Sequence, residues 1–336
     1  MRKKMSLANL LAGTLLFAAS SISGCNCSSD PNSGGSGNGN GGGAFTGVSY
    51  LFAGTDKGVY RSSDQGSNWS LVSTQPTGRA MMCFVTNGKY LYGGSTGLGT
   101  FVSTDSGMTW QSTCPGIQTE YVYGLGMFGP FVLAGTGGLG VWRSSDNGAN
   151  WQVWQSGLSL GGPYNSNLSS FASIGSSLFV AMQTGGSCFR SNDSGLNWAL
   201  ANNGLNSQGA FQILAIDTIL YAGTPDGIYR SSDKGGSWRP SNAGIQSQLV
   251  LTLQQHGSTL FAGTNANGLF RSTDLGASWA SVHGVPSSVR ALLVRGNSIF
   301  AGGMDSVVYR STDDGVSWAH GNVFPGIQGV YSLGAQ

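Results

Sequence analysis

An eight-residue phrase recurs seven times along this chain of 336 residues, and its spacing constrains the fold more than any other feature. The first copy runs from Ser62 through Asp64 and Gly66 to Trp69, and every copy keeps the Asp, Gly and Trp at the same positions. The aspartates are Asp64, Asp105, Asp146, Asp193, Asp233, Asp274 and Asp313, at steps of 41, 41, 47, 40, 41 and 39 residues. A repeat of about forty residues with several short strands per unit is typical of a β-propeller, one blade per repeat. The spacing therefore predicts an all-β, seven-bladed β-propeller.

Each repeat contains four short stretches that are typical of β-strands. In the sixth repeat they cover 249–254, 259–264, 268–272 and 278–282. These stretches are rich in apolar, β-branched and aromatic residues, and none shows the 3.6-residue apolar period of a helix. We label the four strands of a blade A to D from the propeller axis outward. The recurring phrase then lies between strands C and D, and we call it the turn motif.

The two ends of the folded region, 45–336, predict how the ring closes. The region begins with a B-like strand at 50–55, and residues 329–334 have the pattern of an A strand. These two pieces are expected to complete one blade from opposite ends of the chain. Pairing of this kind closes the ring and removes open sheet edges.

The chemistry of the turn motif favours a structural role. An aspartate can accept hydrogen bonds from the backbone of its own turn, glycine takes a positive φ without steric cost, and a tryptophan can cover the turn. The motif resembles the Asp-box, or BNR, repeat of sialidases, sortilin and related propellers. The resemblance implies that the seven aspartates are structural and that a working site lies on the opposite face. Six arginines precede motifs at one shared position and are predicted to act between neighbouring blades: Arg61, Arg143, Arg190, Arg230, Arg271 and Arg310.

The links between repeats refine this resemblance. They contain Gly-Ile or Gly-Leu pairs, as at 116–117 and 204–205, beside Ala-Gly-Thr and Tyr-Arg-Ser strands. In these features the chain is similar to photosystem II assembly-factor-like proteins, sortilin and xyloglucan hydrolases. The first two imply a binding scaffold, and the third implies an enzyme with paired aspartates on two propellers, whereas this chain has one. A sialidase is not expected, because few arginines remain for its three-arginine site: Arg79, Arg239, Arg290 and Arg295.

Carboxylates outside the turn motifs are the candidates for catalysis. Asp56, Asp226 and Asp305 occupy equivalent B–C loops, and Glu120, the only glutamate, lies in a link from strand D to the next strand A. A glycosidase needs two carboxylates about 5–5.5 Å apart for retention or about 6.5–9.5 Å apart for inversion. Asp56 and Asp305 belong to adjacent blades of the predicted ring. The sequence leaves open whether a pair meets or whether all four are exposed polar loop residues.

Aromatic residues near the third repeat indicate a binding site. This repeat is the longest, and its extra residues fall in the link 156–167, which contains Tyr164. Trp154 precedes that link, and Tyr121 begins the A strand of the same blade with Tyr123. Exposed aromatics beside polar loops suit sugar stacking or peptide docking. We predict that Tyr121, Trp154 and Tyr164 bind a ligand; the alternative is an ordinary insertion with buried aromatics.

The N-terminal region is typical of an exported, anchored protein. Residues 1–24 have the charged start, apolar stretch and small-residue end of a signal peptide, and the apolar stretch is too short to span a bilayer. The tetrad at 22–25 resembles the lipobox of bacterial lipoproteins, which implies that Cys25 carries the acyl chains. The alternative is a plain secretory signal. Residues 25–44 are mostly Gly, Ser and Asn and are predicted to form a tether. The expected location is the bacterial cell envelope, at the outer membrane or the cell surface.

Charge, cysteine and histidine patterns exclude several function classes. Loss of Arg2, Lys3 and Lys4 with the signal leaves 13 Lys and Arg against 14 Asp and Glu, so no basic surface for nucleic acid is expected. Cys83 and Cys188 fall in strands and are predicted to be core residues. The three histidines have no metal-ligand spacing. We expect no metal, no cofactor and a monomer.

The sequence as a whole favours a lipid-anchored propeller that acts as a non-catalytic binding or assembly scaffold for a protein or glycan at the face opposite the turn motifs. The alternative is a glycoside hydrolase that uses two of the four candidate carboxylates. A third possibility is a surface protein with only a spacing role.

Overall fold

A computed structural model describes residues 49–336 except 77, 114–116, 118–119, 161–166, 186, 206–208 and 246–247. The predicted signal peptide, Cys25, the predicted tether and Tyr164 lie outside these residues. The part of the chain that is described is all-β and contains no helix long and apolar enough to cross a membrane.

Within the residues that the structure describes, twenty-eight strands form seven antiparallel four-stranded sheets, and each sheet is one blade. In the order A to D, the first three blades are β28 (Val330–Ala335), β1 (Leu51–Thr55), β2 (Gly58–Ser62) and β3 (Ser70–Ser73); β4 (Met81–Asn87), β5 (Tyr90–Ser95), β6 (Thr100–Ser103) and β7 (Gln111–Ser112); and β8 (Val122–Phe128), β9 (Phe131–Thr136), β10 (Val141–Ser144) and β11 (Gln152–Trp154). Blades four and five are β12 (Leu168–Ile174), β13 (Ser177–Met182), β14 (Ser187–Ser191) and β15 (Ala199–Leu200); and β16 (Gln212–Ile216), β17 (Ile219–Thr224), β18 (Gly227–Ser231) and β19 (Arg239–Pro240). Blades six and seven are β20 (Val250–His256), β21 (Thr259–Thr264), β22 (Leu269–Ser272) and β23 (Ala280–Val282); and β24 (Val289–Arg295), β25 (Ser298–Gly303), β26 (Val308–Ser311) and β27 (Ala319–His320).

The predicted seven-bladed architecture is confirmed, and the outermost strands are shorter than the sequence indicates. In the sixth blade the B strand matches the predicted 259–264, whereas strand D begins at Ala280 rather than at 278. The backbone N–H and hydroxyl of Ser278 donate to Asp274, at 2.9 and 2.5 Å, so Ser278 belongs to the turn. The backbone N–H of Trp279 donates to Ala243 of the preceding link.

The predicted closure of the ring is also confirmed. Strand β28 pairs with β1, with Ala335 opposite Leu51 and Val330 opposite Thr55. Beyond the ladder, Tyr50 and Gln336 exchange two backbone hydrogen bonds of 3.0 Å. The first blade therefore takes strand A from the C-terminal end of the chain and strands B to D from the N-terminal end of the described region.

The core lies in the seams between blades. Seven clusters of buried apolar side chains are present, and each combines residues from two adjacent blades. B strands such as β21 are buried along their whole length because a neighbouring blade covers each face. Cys83 and Cys188 are buried free thiols in two of these seams, as predicted.

Side chains bridge the inner edges of the blades, where the A strands have no strand partner. The side-chain amide of Gln212 donates to Leu253 O at 3.0 Å and accepts from Leu253 N at 2.7 Å in the next blade. The Ser332 hydroxyl donates to Met81 O at 2.9 Å across another seam. These bonds satisfy backbone groups that would otherwise be buried without partners.

Candidate functional site

The strand registers divide the propeller into two faces. Leu51 pairs with Ser62, so a B strand begins beside the end of strand C and the turn motif that follows it. We call this side, with the seven turn motifs and the A–B turns, the turn-motif face. The opposite side, which carries the B–C loops and the link ends that lead into the next A strand, is the loop face. The loops that contain Asp56, Asp226 and Asp305 therefore belong to the loop face.

On the turn-motif face each repeat aspartate bonds within its own turn. Asp64 accepts the backbone N–H of Asn68 at 2.8 Å, the Asn68 side-chain amide at 2.7 Å and the Ser62 hydroxyl at 2.8 Å. The hydrogen bonds from Asn68 hold the pKa of Asp64 below its ordinary value. Gln65 follows with φ 58°, and an equivalent positive-φ residue follows the aspartate in every motif. Equivalent bonds occupy the other six carboxylates, one in each blade, so these groups do not converge on a ligand.

Four of the six repeat arginines contact the turn motif of the next blade. Each reaches the positive-φ residue after the aspartate: Arg61 bonds Ser106 O at 3.0 Å, Arg190 bonds Lys234 O at 3.3 Å, Arg271 bonds the Asp314 carboxylate at 3.1 Å and Arg310 bonds the Gln65 side chain at 2.7 Å. These contacts cross four seams and support the predicted role between blades.

Trp154, a predicted ligand-binding residue, lies in the seam between the third and fourth blades. The Arg143 guanidinium carbon is 3.0 Å from the centroid of its ring, and a methyl group at Gly195 of the fourth turn motif would lie 3.5 Å from the indole. Trp154 is half-buried, and its ring stacks on a repeat arginine. Trp154 ends the outermost strand of the third blade, whereas Tyr121 precedes its innermost strand, so the width of the sheet separates the two positions.

Tyr121 and Tyr123 form an aromatic pair on the loop face. Their rings are stacked, with centroids 6.1 Å apart and an interplanar angle of 18°. Both side chains are half-buried. Small residues in adjacent B–C loops make room for them, because a methyl group at Gly97 would lie 3.5 Å from the Tyr121 ring and one at Gly137 would lie 3.0 Å from the Tyr123 ring.

Glu120 precedes this pair and is also half-buried. Its backbone carbonyl accepts the Gly99 N–H at 2.9 Å, which ties the link to the B–C loop of the second blade. Burial raises the pKa of the Glu120 carboxyl above its ordinary value. Glu120, Tyr121 and Tyr123 lie within four consecutive residues where the link enters the third blade, and we call them the loop-face cluster.

The three candidate aspartates occupy separate environments. Asp56 accepts the backbone N–H of Gln328 at 2.8 Å and so holds the link between the seventh and first blades. Burial raises the pKa of Asp305, although the Tyr309 hydroxyl and His320 favour its charged form. The third, Asp226, lies in the fifth blade, apart from both.

Asp56 and Asp305 face different seams although their blades are adjacent. The Tyr309 hydroxyl bonds Asp305, and the ring of the same tyrosine packs in the cluster between the sixth and seventh blades. The link that Asp56 holds runs between the seventh and first blades. The sheet of the seventh blade thus lies between the two groups that fix these carboxylates. Within the described ranges, no three His, Cys, Asp or Glu side chains are grouped so that they could hold a metal ion.

Arg290 is a loop-face residue that no motif in the sequence singles out. It is the second residue of β24, where the ladder to β25 has a bulge, and it is buried. Its guanidinium contacts the Asn265 side chain at 3.4 Å. Burial lowers the pKa of Arg290, and the field of Tyr331 opposes that shift. An arginine directly before the apolar run Ala291–Val294 of an A strand is the one signal in the sequence that could have marked this position.

Comparisons with known proteins identify the fold. No family model matches the sequence, and no curated protein is similar to it. Among solved structures, the chain is similar to YCF48 bound to D1 peptide, with a TM-score of 0.58, 15% identity and coverage of 77% of this chain and 93% of that one. It is also similar to YCF48 from Cyanidioschyzon merolae, with a TM-score of 0.60, 14% identity and coverage of 77% and 95%. An ancestral GH74 enzyme gives a TM-score of 0.55 and 15% identity, over 80% of this chain but 39% of the enzyme.

Proposed function

We propose that this protein is a lipid-anchored binding scaffold of the bacterial cell envelope, and that its loop face docks a protein partner. The observation that carries the proposal is the loop-face cluster, in which the half-buried rings of Tyr121 and Tyr123 stack on each other and the half-buried Glu120 precedes them in the chain. Half-buried tyrosines offer large, rigid contact areas with a polar end, which is the composition of many binding hot spots.

The arrangement of the carboxylates supports a non-catalytic role. The seven repeat aspartates are engaged in their own turns, as the Asp-box resemblance implies. Asp56 and Asp305 are fixed toward different seams, so their sheet geometry does not favour the shared cleft of a glycosidase. The rigid ring instead presents short loops on one face, which suits recognition of a partner surface.

A solved structure with a similar fold favours a protein partner over a glycan. YCF48, which shares the propeller architecture, is known in a complex with D1 peptide. By analogy of fold alone, an extended segment of a partner protein is the ligand class we assign to the loop face.

The anchoring part of the proposal rests on the N-terminal sequence. Removal of residues 1–24 and acylation of Cys25 would attach the chain to a membrane, and residues 25–44 would serve as the tether. Mass spectrometry of the protein from a bacterial membrane fraction tests this: we expect a diacylglycerol-modified Cys25 at the mature N-terminus. An unmodified chain in the soluble fraction would contradict it.

Photo-crosslinking in living cells tests the partner. A photoreactive phenylalanine analogue at position 121 should give a discrete adduct with one protein, and Tyr123→Ala should weaken that adduct. The matched control is the same analogue at position 90, because Tyr90 is a half-buried tyrosine of the turn-motif face. Equal adducts from both positions, or none from 121, would contradict the proposal.

A glycoside hydrolase is the second candidate, because burial raises the pKa of both Glu120 and Asp305, as a general acid requires. Polysaccharide turnover by the purified protein tests it. Hydrolysis that falls at least about 100-fold in Glu120→Gln or Asp305→Asn, but not in Asp226→Asn, would establish this function instead.

A further inference from the structure

Both ends of the described chain lie on the turn-motif face. The register of Leu51 with Ser62 places the start of β1 beside the first turn motif. The Ser49 hydroxyl accepts a hydrogen bond of 2.9 Å from Arg295, where the A strand of the seventh blade ends. The side-chain amide of Gln336 donates to the backbone oxygens of Gly88 and Lys89, in the A–B turn of the second blade, at 3.3 and 2.8 Å. The preceding 48 residues therefore join the propeller at this face, near its inner strands.

The same face carries exposed apolar side chains at its loop tips. Met108, Leu196 and Val316 occupy the position after the motif glycine in the second, fourth and seventh blades, and they are 48%, 52% and 69% exposed. Leu275, just before the motif glycine of the sixth blade, is 49% exposed. The B–C loops of the opposite face also expose Leu139 and Met304, at 40% and 47%, but the turn-motif face has four such tips, all in equivalent turns. Apolar tips of this kind fit the boundary between lipid headgroups and acyl chains.

The length of the N-terminal segment limits how the propeller can orient. A chain of Gly/Ser-rich composition between positions 25 and 48 has a typical end-to-end distance of roughly 25–30 Å. The longest blade strands have seven residues, which gives the disc a thickness of about 23 Å, and four strands at about 4.8 Å spacing extend at least about 14 Å outward. To turn the loop face to a membrane, the segment would have to run around the rim, a path of about 40 Å or more. Few conformations of such a chain span that distance.

We infer that the turn-motif face rests against the lipid bilayer, with Met108, Leu196, Leu275 and Val316 at the headgroup level, and that the loop face points away from the membrane. The inference rests on the proposed anchor at Cys25. The two faces then have separate roles. The turn-motif face lies toward lipid, and the loop-face cluster stays accessible to a partner.

Energy transfer from each face to the membrane tests this orientation. The lipidated full chain, with Cys27 and Cys114 replaced by serine, is reconstituted into phosphatidylethanolamine–phosphatidylglycerol liposomes that contain an acceptor-labelled lipid. A donor dye is attached to Val316→Cys or Met304→Cys, which lie on opposite faces of the same blade and are both well exposed in the native chain. The native Cys83 and Cys188 are buried and should remain unlabelled.

We expect about twofold higher transfer from position 316 than from position 304, since the disc thickness separates the two dyes along the membrane normal. The combined substitutions Met108→Ser, Leu196→Ser and Leu275→Ser should lower the transfer from 316. Insertion of about forty further Gly/Ser residues after position 43 should reduce the difference between the faces. Equal transfer from the two positions, or higher transfer from 304, overturns the inference while leaving the anchor intact. A Cys25→Ser chain that binds the liposomes as tightly as the lipidated chain contradicts the anchor at Cys25, and with it the argument from segment length.

Discussion

Replacement of Leu333 by alanine should destabilise the whole propeller, because this side chain sits in the strand that closes the ring. Leu333 is 1% exposed, lies opposite Ala53 in the β1–β28 ladder and belongs to the cluster between the seventh and first blades. Buried Leu→Ala changes typically cost about 2–5 kcal/mol, of which part comes from the cavity that remains. Natural domains have about 5–15 kcal/mol of stability, so the loss would be a large fraction of the total.

Urea denaturation followed by tryptophan fluorescence measures this loss. The matched control is Leu200→Ala, because Leu200 lies on the outermost strand of the fourth blade and is 57% exposed. We expect a decrease of about 2–4 kcal/mol in the free energy of unfolding for Leu333→Ala and less than about 0.5 kcal/mol for Leu200→Ala. If the two variants unfold at the same urea concentration, β28 does not close a cooperative ring and the reasoning is wrong.

Three further predictions concern the turns and seams. Hydrogen bonds to Asn197 lower the pKa of Asp193 from 3.8 to about 2. The contribution of this carboxylate to stability is therefore present above pH 4 and disappears as the pH falls toward 2. Asp193→Asn should reduce the acid dependence of the unfolding midpoint in that window. Gln212→Ala removes both bonds to the next blade and leaves buried backbone groups unpaired, which should cost about 2–3 kcal/mol, whereas the half-buried Gln255→Ala should cost less than about 1 kcal/mol in the same denaturation assay. Asp314→Asn weakens a partly exposed ion pair with Arg271, so we expect a loss of about 0.5–1 kcal/mol that shrinks when salt is added; a loss that is independent of salt would show that packing is responsible.

The architecture could be predicted because the repeat reports it many times. Seven motifs at even spacing indicate seven blades, and a single B-like strand at one end with a single A-like strand at the other indicates their pairing. Both expectations depend only on local pattern and on the need to remove open edges. The outermost strands were less predictable, because residues such as Ser278 are drawn into the turn by hydrogen bonds to Asp274.

The candidate site was only partly predictable, because it depends on which seam a side chain faces. Trp154 is near the long link in sequence, yet its ring stacks on Arg143, a diagonal neighbour on the adjacent strand of the same blade. Asp56 and Asp305 occupy equivalent loops of adjacent blades, yet one holds a link and the other bonds Tyr309 of its own blade. The position of such a residue in the repeat predicts the face of the propeller on which it lies. The seam that its side chain enters depends on rotamers and packing, which the repeat pattern does not predict.

The links between blades differ in length, and this difference gives the seams different exposed surfaces although every blade has the same four strands. In the fourth, fifth and sixth blades the backbone N–H of the motif tryptophan donates to a carbonyl of the preceding link, at 2.8 Å in each case. A methyl group at Gly244 would overlap the Trp279 carbonyl, whereas one at Gly284 would meet only the Trp318 Cβ, at 3.8 Å. The link is thus less tightly packed at the seventh motif, where Trp318 is half-buried. The repeat that ends at the seventh motif is the shortest, at 39 residues, and the one that contains the long link is 47. Since all seven sheets keep four strands, these differences change what each seam exposes and leave the ring intact. The links are therefore where a propeller of this kind can acquire a binding site without loss of stability.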